Sequence, residues 1–296
     1  MAINSRDSVV QGPDELRRLR ASLFLVLGFM VVEIAGGLLT GSLALLSDAG
    51  HMGTDALGLG MALAAIMANR RRHPEGHTFG LYRLEILAAL ANTVLLLALA
   101  AYVVIESVDR FTAPSPIESG PMLVIALGGL VVNVISLRWL QGHSLNMAAA
   151  RAEVTADLAA SAGVVVAAIV LALTGWTQID AVVAVVVGAL IVPRAWKIGR
   201  HAVRILVQAA PPHLDLDRLR SELERIPGVV DLHDLHVWTL TSGMEVASAH
   251  LLIGAEVDAR STLDRARGLL EDAYGIAHAT LQVESSSHRN CVEIEW

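Results

Sequence analysis

Six apolar stretches follow one another through the first two thirds of the 296-residue chain, near Leu23–Leu39, Leu43–Ala68, Leu84–Ile105, Pro121–Leu137, Ala152–Thr174 and Ile179–Pro193. Each approaches the roughly 20 residues a helix needs to cross the hydrocarbon core of a bilayer, the sixth by extending to about Ile198. After Pro211-Pro212 the period changes. Leu216, Leu219, Leu223 and Ile226 recur at helical spacing and are closed by Pro227-Gly228, so residues 215–226 read as an amphipathic helix. Residues 229–240 and 245–253 read as strands joined through Thr241-Ser242-Gly243, followed by a helix over 259–274 and a strand over 280–284. The pattern predicts an all-α bundle of six transmembrane helices followed by a small α+β domain of order α-β-β-α-β. The expected divisions are an N-terminal segment over 1–20, the bundle over 21–208, the α+β domain over 209–286 and a flexible, metal-binding-type tail over 287–296. A domain of about 75 residues has little core of its own and is expected to lean on a partner surface.

Composition agrees with a membrane protein: 54% of the residues are hydrophobic, 17% are charged and the mean hydropathy is +0.56. Aromatic residues make up only 4%, so the apolar content is mainly Ala, Val and Leu with 24 Gly, a set that lets membrane helices approach closely. Cys291 is the only cysteine, which excludes a disulfide framework within the chain. The net charge of −7 divides unevenly: residues 210–296 hold 15 acidic and 7 basic side chains, a net of −8, and the part upstream is left at +1. With both ends on one side, the loops of that side carry 14 bases, from Arg6 to Arg204, against Arg110 alone on the other. The positive-inside rule then makes both termini cytoplasmic. The first apolar run follows the mixed-charge stretch Asp14–Arg20 and is long enough to remain as a span, so no cleavable signal peptide is expected. No basic patch is interleaved with aromatics, so nucleic acid is not an expected partner.

Ionisable residues inside a span are costly and mark function. The second span carries Asp48, His51 and Asp55, and the fifth carries Glu153 and Asp157. His51 and Asp55 are four apart, as are Glu153 and Asp157, so each pair stacks on one helix face. Two such faces can offer one nitrogen and three carboxylates to a shared point, a tetrahedral site suited to zinc. Three ionised carboxylates with a neutral histidine sum to −3, which a medium of low dielectric does not tolerate. The site must therefore take up protons, or a divalent ion that lowers the sum to −1. Metal and protons compete for the same groups, and a site open to each side in turn exchanges them. Asp48 lies on the same face, nearer the outer end, and either lines an exit path or supports the ligands. Glu33, alone in the first span, serves either a proton pathway or a structural contact, while Asn92 and Asn133 are expected to bind helices together. An intramembrane zinc hydrolase is the rival from another class. It would need an open coordination position and a general base, as in His-Glu-x-x-His, and the chain has no such motif.

These residues stand in the motifs Ser42-Leu-Ala-Leu-Leu-Ser-Asp-Ala-Gly-His51-Met-Gly-Thr-Asp55, Phe79-Gly-Leu-Tyr-Arg-Leu-Glu-Ile-Leu-Ala-Ala-Leu-Ala-Asn92, Glu153-Val-Thr-Ala-Asp157 and His233-Asp-Leu-His-Val-Trp238. On them the chain resembles the cation diffusion facilitator family, of the bacterial zinc, cadmium and cobalt efflux type, over nearly its whole length. The resemblance implies a homodimeric metal–proton antiporter of the bacterial inner membrane, with six helices per subunit and a ferredoxin-like, metallochaperone-like cytoplasmic domain. Its substrate would be Zn2+, which would also be a structural or regulatory ligand, and no organic cofactor is implied. The family's transport site maps onto His51, Asp55, Glu153 and Asp157. Its zinc transporters often have His where this chain has Glu153, which hardens the donor set and lowers selectivity against Mn2+, Co2+ and Fe2+; export of Cd2+, Co2+, Mn2+ or Fe2+ by the same mechanism is the alternative reading.

Six of the eleven histidines, at positions 213, 233, 236, 250, 278 and 288, fall in the acidic part. His233 lies in one expected strand, His250 in the next and Glu284 at the end of the last, so adjacent strand ends can converge. The resemblance implies that these three bind metal; His278 is displaced by one from another such position and is not carried over. His288 and Cys291, spaced His-x-x-Cys, offer a nitrogen and a thiolate to the same site. His236, three residues from His233, is expected on the opposite strand face, packed near Trp238. In the loop Arg70-Arg-Arg-His73-Pro-Glu-Gly-His77, two histidines four apart suit either a metal-relay site or a basic turn at the lipid headgroups.

Overall fold

Hydrocarbon offers no hydrogen bonds, so a chain that crosses it must satisfy each backbone N–H and C=O within its own segment, and a helix does so. The computed structural model describes residues 13–54, 56, 77–140 and 145–285. Their elements are α1 (Pro13–Thr40), α2 (residues 43–54), α3 (Arg83–Thr112), α4 (Ser119–Trp139), α5 (Leu145–Thr174) and α6 (Gln178–Leu206), then α7 (Leu216–Glu224), β1 (Val229–Thr241), β2 (Met244–Ile253), α8 (Ala259–Tyr274) and β3 (His278–Ser285). Five segments, Ala21–Thr40, Arg83–Thr112, Ser119–Trp139, Val154–Thr174 and Gln178–Leu206, are long and apolar enough to cross a membrane. The second expected span is helical over residues 43–54 and at residue 56, and the rest of it lies outside the described residues.

The chain forms two compact units, with residues up to 60 and 91–198 in one and residues 61–90 and 199 onward in the other. In the first, small side chains line the helix contacts. Ala44, Ala126, Ala167, Ala168 and Ala184 are buried with Leu43, Leu45, Val103, Met122 and Val164. Backbones approach closely there, which is how helices gain contact where water supplies no driving force between them. The large apolar side chains Phe24, Leu39, Val124, Leu173 and Leu190 point outward instead, a surface for lipid.

In the second unit the strands form one sheet of order β1-β2-β3, antiparallel between β1 and β2 and parallel between β2 and β3, with α8 as the crossover. The α-β-β-α-β order read from the hydrophobic period is the order found. Asp215 starts α7 by accepting the Arg218 N–H, and Asp258 starts α8 by accepting those of Arg260 and Ser261. Gly275, at φ +70°, closes α8. Leu219 and Leu223 of α7 meet Leu232, Val237, Leu251, Leu270 and Ile276 in a single core. On the outside Glu222 accepts from Arg218 Nε at 2.9 Å and from the Tyr274 hydroxyl at 2.9 Å. These bonds hold its carboxyl below the usual carboxylate range, the guanidinium contributing most. The β1–β2 hairpin also donates to α3, the hydroxyls of Thr241 and Ser242 reaching Glu85 at 2.7 and 3.0 Å.

Two turn glycines of this unit differ in what surrounds them. Gly228, at φ +97°, has the Val257 side chain where a Cβ would stand, whereas Gly243, at φ +72°, faces open space. Gly243→Ala is expected to cost about 1 kcal/mol of backbone strain and Gly228→Ala about 2–4 kcal/mol, strain and overlap together. Thermal unfolding of the two variants should show the larger drop in midpoint for Gly228→Ala.

Candidate metal sites

His51 sits in the third turn of α2 and Asp157 on α5. Each is only 6% exposed, and His51 Nε2 lies 3.6 Å from Asp157 Oδ1. The i, i+4 pairs predicted for the second and fifth spans are thus represented by one member each at a common point. Glu153 falls within α5, but its side chain, like Asp55 as a whole, lies outside the described residues. At 3.6 Å the nitrogen and oxygen are beyond hydrogen-bond length and within ion-pair reach.

One turn away the polar groups continue. Asp48, three residues before His51, accepts from Ser161 Oγ at 3.2 Å through Oδ2, and Ser161 accepts from Asn133 Nδ2 at 3.0 Å. Ser161, four residues after Asp157, lies on the same face of α5. Asn133 therefore does join helices, as its sequence position suggested, and it does so through a serine that the sequence reading passed over. The signal for Ser161 was its i+4 spacing from Asp157, weak because serine is common in spans. Glu33 is 1% exposed on α1, its Oε1 at 2.9 Å from where a Cβ on Gly129 of α4 would stand. Glycine at that position lets α4 pass the carboxylate.

The soluble unit brings a second group together. His233 and His250 are direct partners in the β1–β2 ladder, and Glu284 enters from β3 beside Leu252. His250 Nδ1 lies 2.9 Å from Glu284 Oε1 and His233 Nε2 lies 3.9 Å from Oε2, with the two rings 5.2 Å apart and inclined by 66°. One potential ligand atom from each residue falls within 4.8 Å of the others. Gln282 Nε2 donates to Glu284 Oε1 at 2.9 Å and steadies the carboxylate, and Asp231 stands 3.9 Å from His233. His236 departs from the expected placing. A bulge between His233 and His236, with Asp234 at φ +51°, shifts the register so that His236 pairs with Ser248, two residues from His250. Two residues on one strand share a face, so His233 and His236 do too, and His236 is exposed instead of packed. His77 is exposed at the start of the turn into α3, while His73, His288 and Cys291 lie outside the described residues.

Apolar helices with ionisable side chains on their buried faces, joined to a soluble domain carrying a histidine–glutamate cluster, define a multi-pass membrane protein that handles cations. Residues 19–207 match the model of the cation efflux transmembrane domain, and residues 211–286 that of the cation efflux protein cytoplasmic domain. The chain belongs to this family, the cation diffusion facilitators, a family of transporters. It is 40% identical over 272 residues to the metal cation efflux system protein CzcD of Cupriavidus metallidurans, over 90% of this chain and 86% of the relative. It is 39% identical over 274 residues to the zinc transporter ZitB of Escherichia coli, over 90% and 87%. With the cadmium, cobalt and zinc/H(+)-K(+) antiporter of Bacillus subtilis it shares 33% over 284 residues, 92% and 90% of the two chains. A solved structure of the metal-bound C-terminal domain of the CzcD transporter from Cupriavidus metallidurans matches 24% of this chain and 99% of its own at 33% identity, with a TM-score of 0.23.

Ser161→Ala removes the hydroxyl that joins Asp48 to Asn133 and leaves both buried. A loss of about 0.5–2 kcal/mol is expected, the range for hydrogen bonds between membrane helices and for buried polar groups left without a partner. A lowered unfolding midpoint of the detergent-solubilised protein measures it.

Proposed function

We propose that this protein exports divalent metal cations, chiefly Zn2+, from the cytoplasm in exchange for protons, through a tetrahedral site of His51 and Asp55 on the second span and Glu153 and Asp157 on the fifth. The observation that carries this reading is the 3.6 Å between His51 Nε2 and Asp157 Oδ1. Two ligands at about 2.0–2.1 Å from one tetrahedral zinc stand roughly 3.4 Å apart, so these atoms need little movement to share an ion. Antiport follows from charge. Three carboxylates and an imidazole left in a low dielectric when a divalent ion departs to water must gain protons in its place. Relatives named for zinc, for metal cations and for cadmium, cobalt and zinc against protons support the substrate class. The carboxylate at Glu153 extends acceptance to harder ions such as Co2+, Mn2+ and Fe2+.

On this reading residues 21–208 carry the ion across a bacterial inner membrane, both termini are cytoplasmic, and residues 209–286 form the dimer-stabilising domain of a homodimer. His233, His250 and Glu284 bind metal there, joined by His288 and Cys291 of the tail, with His73 and His77 as a relay near the membrane. Asp48 and Glu33 serve the proton and exit path. The acidic surface of this domain raises the local concentration of divalent cations.

His51→Ala and Asp157→Ala are each expected to abolish zinc–proton exchange in proteoliposomes while the purified variants keep their elution profile and helicity. Normal exchange in both would place the ion elsewhere. His233→Ala combined with His250→Ala is expected to remove one class of zinc from the full-length protein in a calorimetric titration. An unchanged metal count would show that these histidines are not ligands.

A further inference from the structure

The N-terminal end of α2 is held by a carboxylate from more than 130 residues away. Asp180, in the first turn of α6, is 0% exposed. Its Oδ1 accepts the Ser42 hydroxyl at 2.6 Å and the Ala44 N–H at 3.2 Å, and its Oδ2 accepts the Leu43 N–H at 2.6 Å. The Ser42 hydroxyl in turn accepts the Leu45 N–H at 3.2 Å, so serine caps the helix and aspartate holds the cap. Arg110, in the last turn of α3, stands 3.6 Å from Asp180 Oδ2, donates to the Gly41 carbonyl and is oriented by Glu106 at 3.0 Å. Ser107 of α3 donates to the Ala181 carbonyl at 3.3 Å. Asp180 thus meets the free amides of α2, the positive dipole end of its own helix and one guanidinium, which together offset the cost of burying its charge.

We propose that Asp180 is a positioning residue for transport: the clasp of Ser42, Arg110 and Asp180 fixes the depth and rotation of α2, and with them where His51 stands opposite α5. The proposal rests on the reading that His51 and Asp157 share the transported ion. His51 is nine residues after Ser42, about 13 Å along a stiff helix, so α2 released at this end turns or slides as a rod. A displacement of about 1 Å is enough to spoil a constellation that must close on one ion. Arg110 gains a role as well. The lone base of the far-side loops is a partner of the clasp, drawn inward and only partly exposed.

Asp180→Asn keeps the shape and loses the charge. In proteoliposomes it is expected to raise the zinc concentration for half-maximal exchange about tenfold, with the maximal rate within about twofold of the parent, as for a loss of ion binding. Amide hydrogen exchange of residues 43–45 should become faster, and Asp180→Glu should recover most of the half-saturation value. A purely structural residue would instead lower the yield of folded protein and leave half-saturation unmoved in what remains. Should Asp180→Asn not fold, Ser42→Ala removes one bond of the clasp and is expected to shift both readouts in the same direction by about threefold. Unchanged half-saturation in whichever variant folds overturns the positioning role, whatever the exchange data. His51→Ala run alongside reads the shared-site proposal separately: normal transport by it moves the ion elsewhere, while amide exchange at residues 43–45 still reports whether Asp180 holds α2.

Discussion

A carboxylate surrounded by hydrocarbon must be given partners, and the membrane part of this protein is arranged around how fully four of them are supplied. Asp180 is supplied most completely, with a hydroxyl, two amides and a guanidinium converging on its two oxygens. Asp48 has the Ser161 hydroxyl on one oxygen and, among the described residues, no hydrogen bond on the other. Glu33 has an oxygen in the same condition, and Asp157 faces His51 at 3.6 Å. The gradation separates tasks. A carboxylate whose two oxygens both accept from fixed donors is structural, because an arriving cation would have to displace bonds already made. One with capacity to spare can take up a proton or an ion and give it back. The same cost of burial produces a fixed point for α2 and, nine residues after Ser42, the buried His51 that the proposed transport site uses.

What could be seen in advance follows the range of each interaction. The i, i+4 spacing of His51 with Asp55 and of Glu153 with Asp157 is a local property of a helix, so it survives in one dimension. The α-β-β-α-β order was legible for the same reason, since the change from apolar runs to periods of 3.6 and 2 is local, and the caps Asp258 and Gly275 bound α8 at the ends of the helix expected over 259–274. Asp180 was not legible as a clasp. It stands at the mouth of an apolar run, where an acidic residue reads as an ordinary first-turn charge, and its partners are 136–138 residues distant. His236 was misplaced because regular alternation was assumed across a bulge. The residue that makes the bulge, Asp234, is not a glycine, so its left-handed backbone left no sign in the sequence.

The two histidine-bearing groups differ in how they are built, and the difference bears on what each does with an ion. In the sheet, register brings His233 and His250 side by side, and a single carboxylate with an oxygen toward each closes the triangle. Strands fix such a set rigidly, and its two histidines are partly exposed while Glu284 is buried, so an ion held there as proposed would lose only part of its water shell. In the membrane the proposed ligands come from two helices whose relative rotation sets whether they meet at all. A site of that kind can be opened by moving a helix, which the strand site cannot.

On the proposed ligand set, charge ties metal exchange to protons. With glutamate rather than histidine at position 153, that set carries one more negative charge. At −3 the empty set is the least tolerable state in a medium of low dielectric, and the metal-bound set at −1 is tolerable without protons. On that proposal, release of the ion would be tied to proton uptake more strongly than with a second histidine, whose neutral form makes no such demand. The additional carboxylate would strengthen coupling and relax selectivity together, because the oxygen to be protonated is also the harder ligand. Holding α2 by a carboxylate whose two oxygens both accept from fixed donors keeps the clasp apart from the exchange on that proposal.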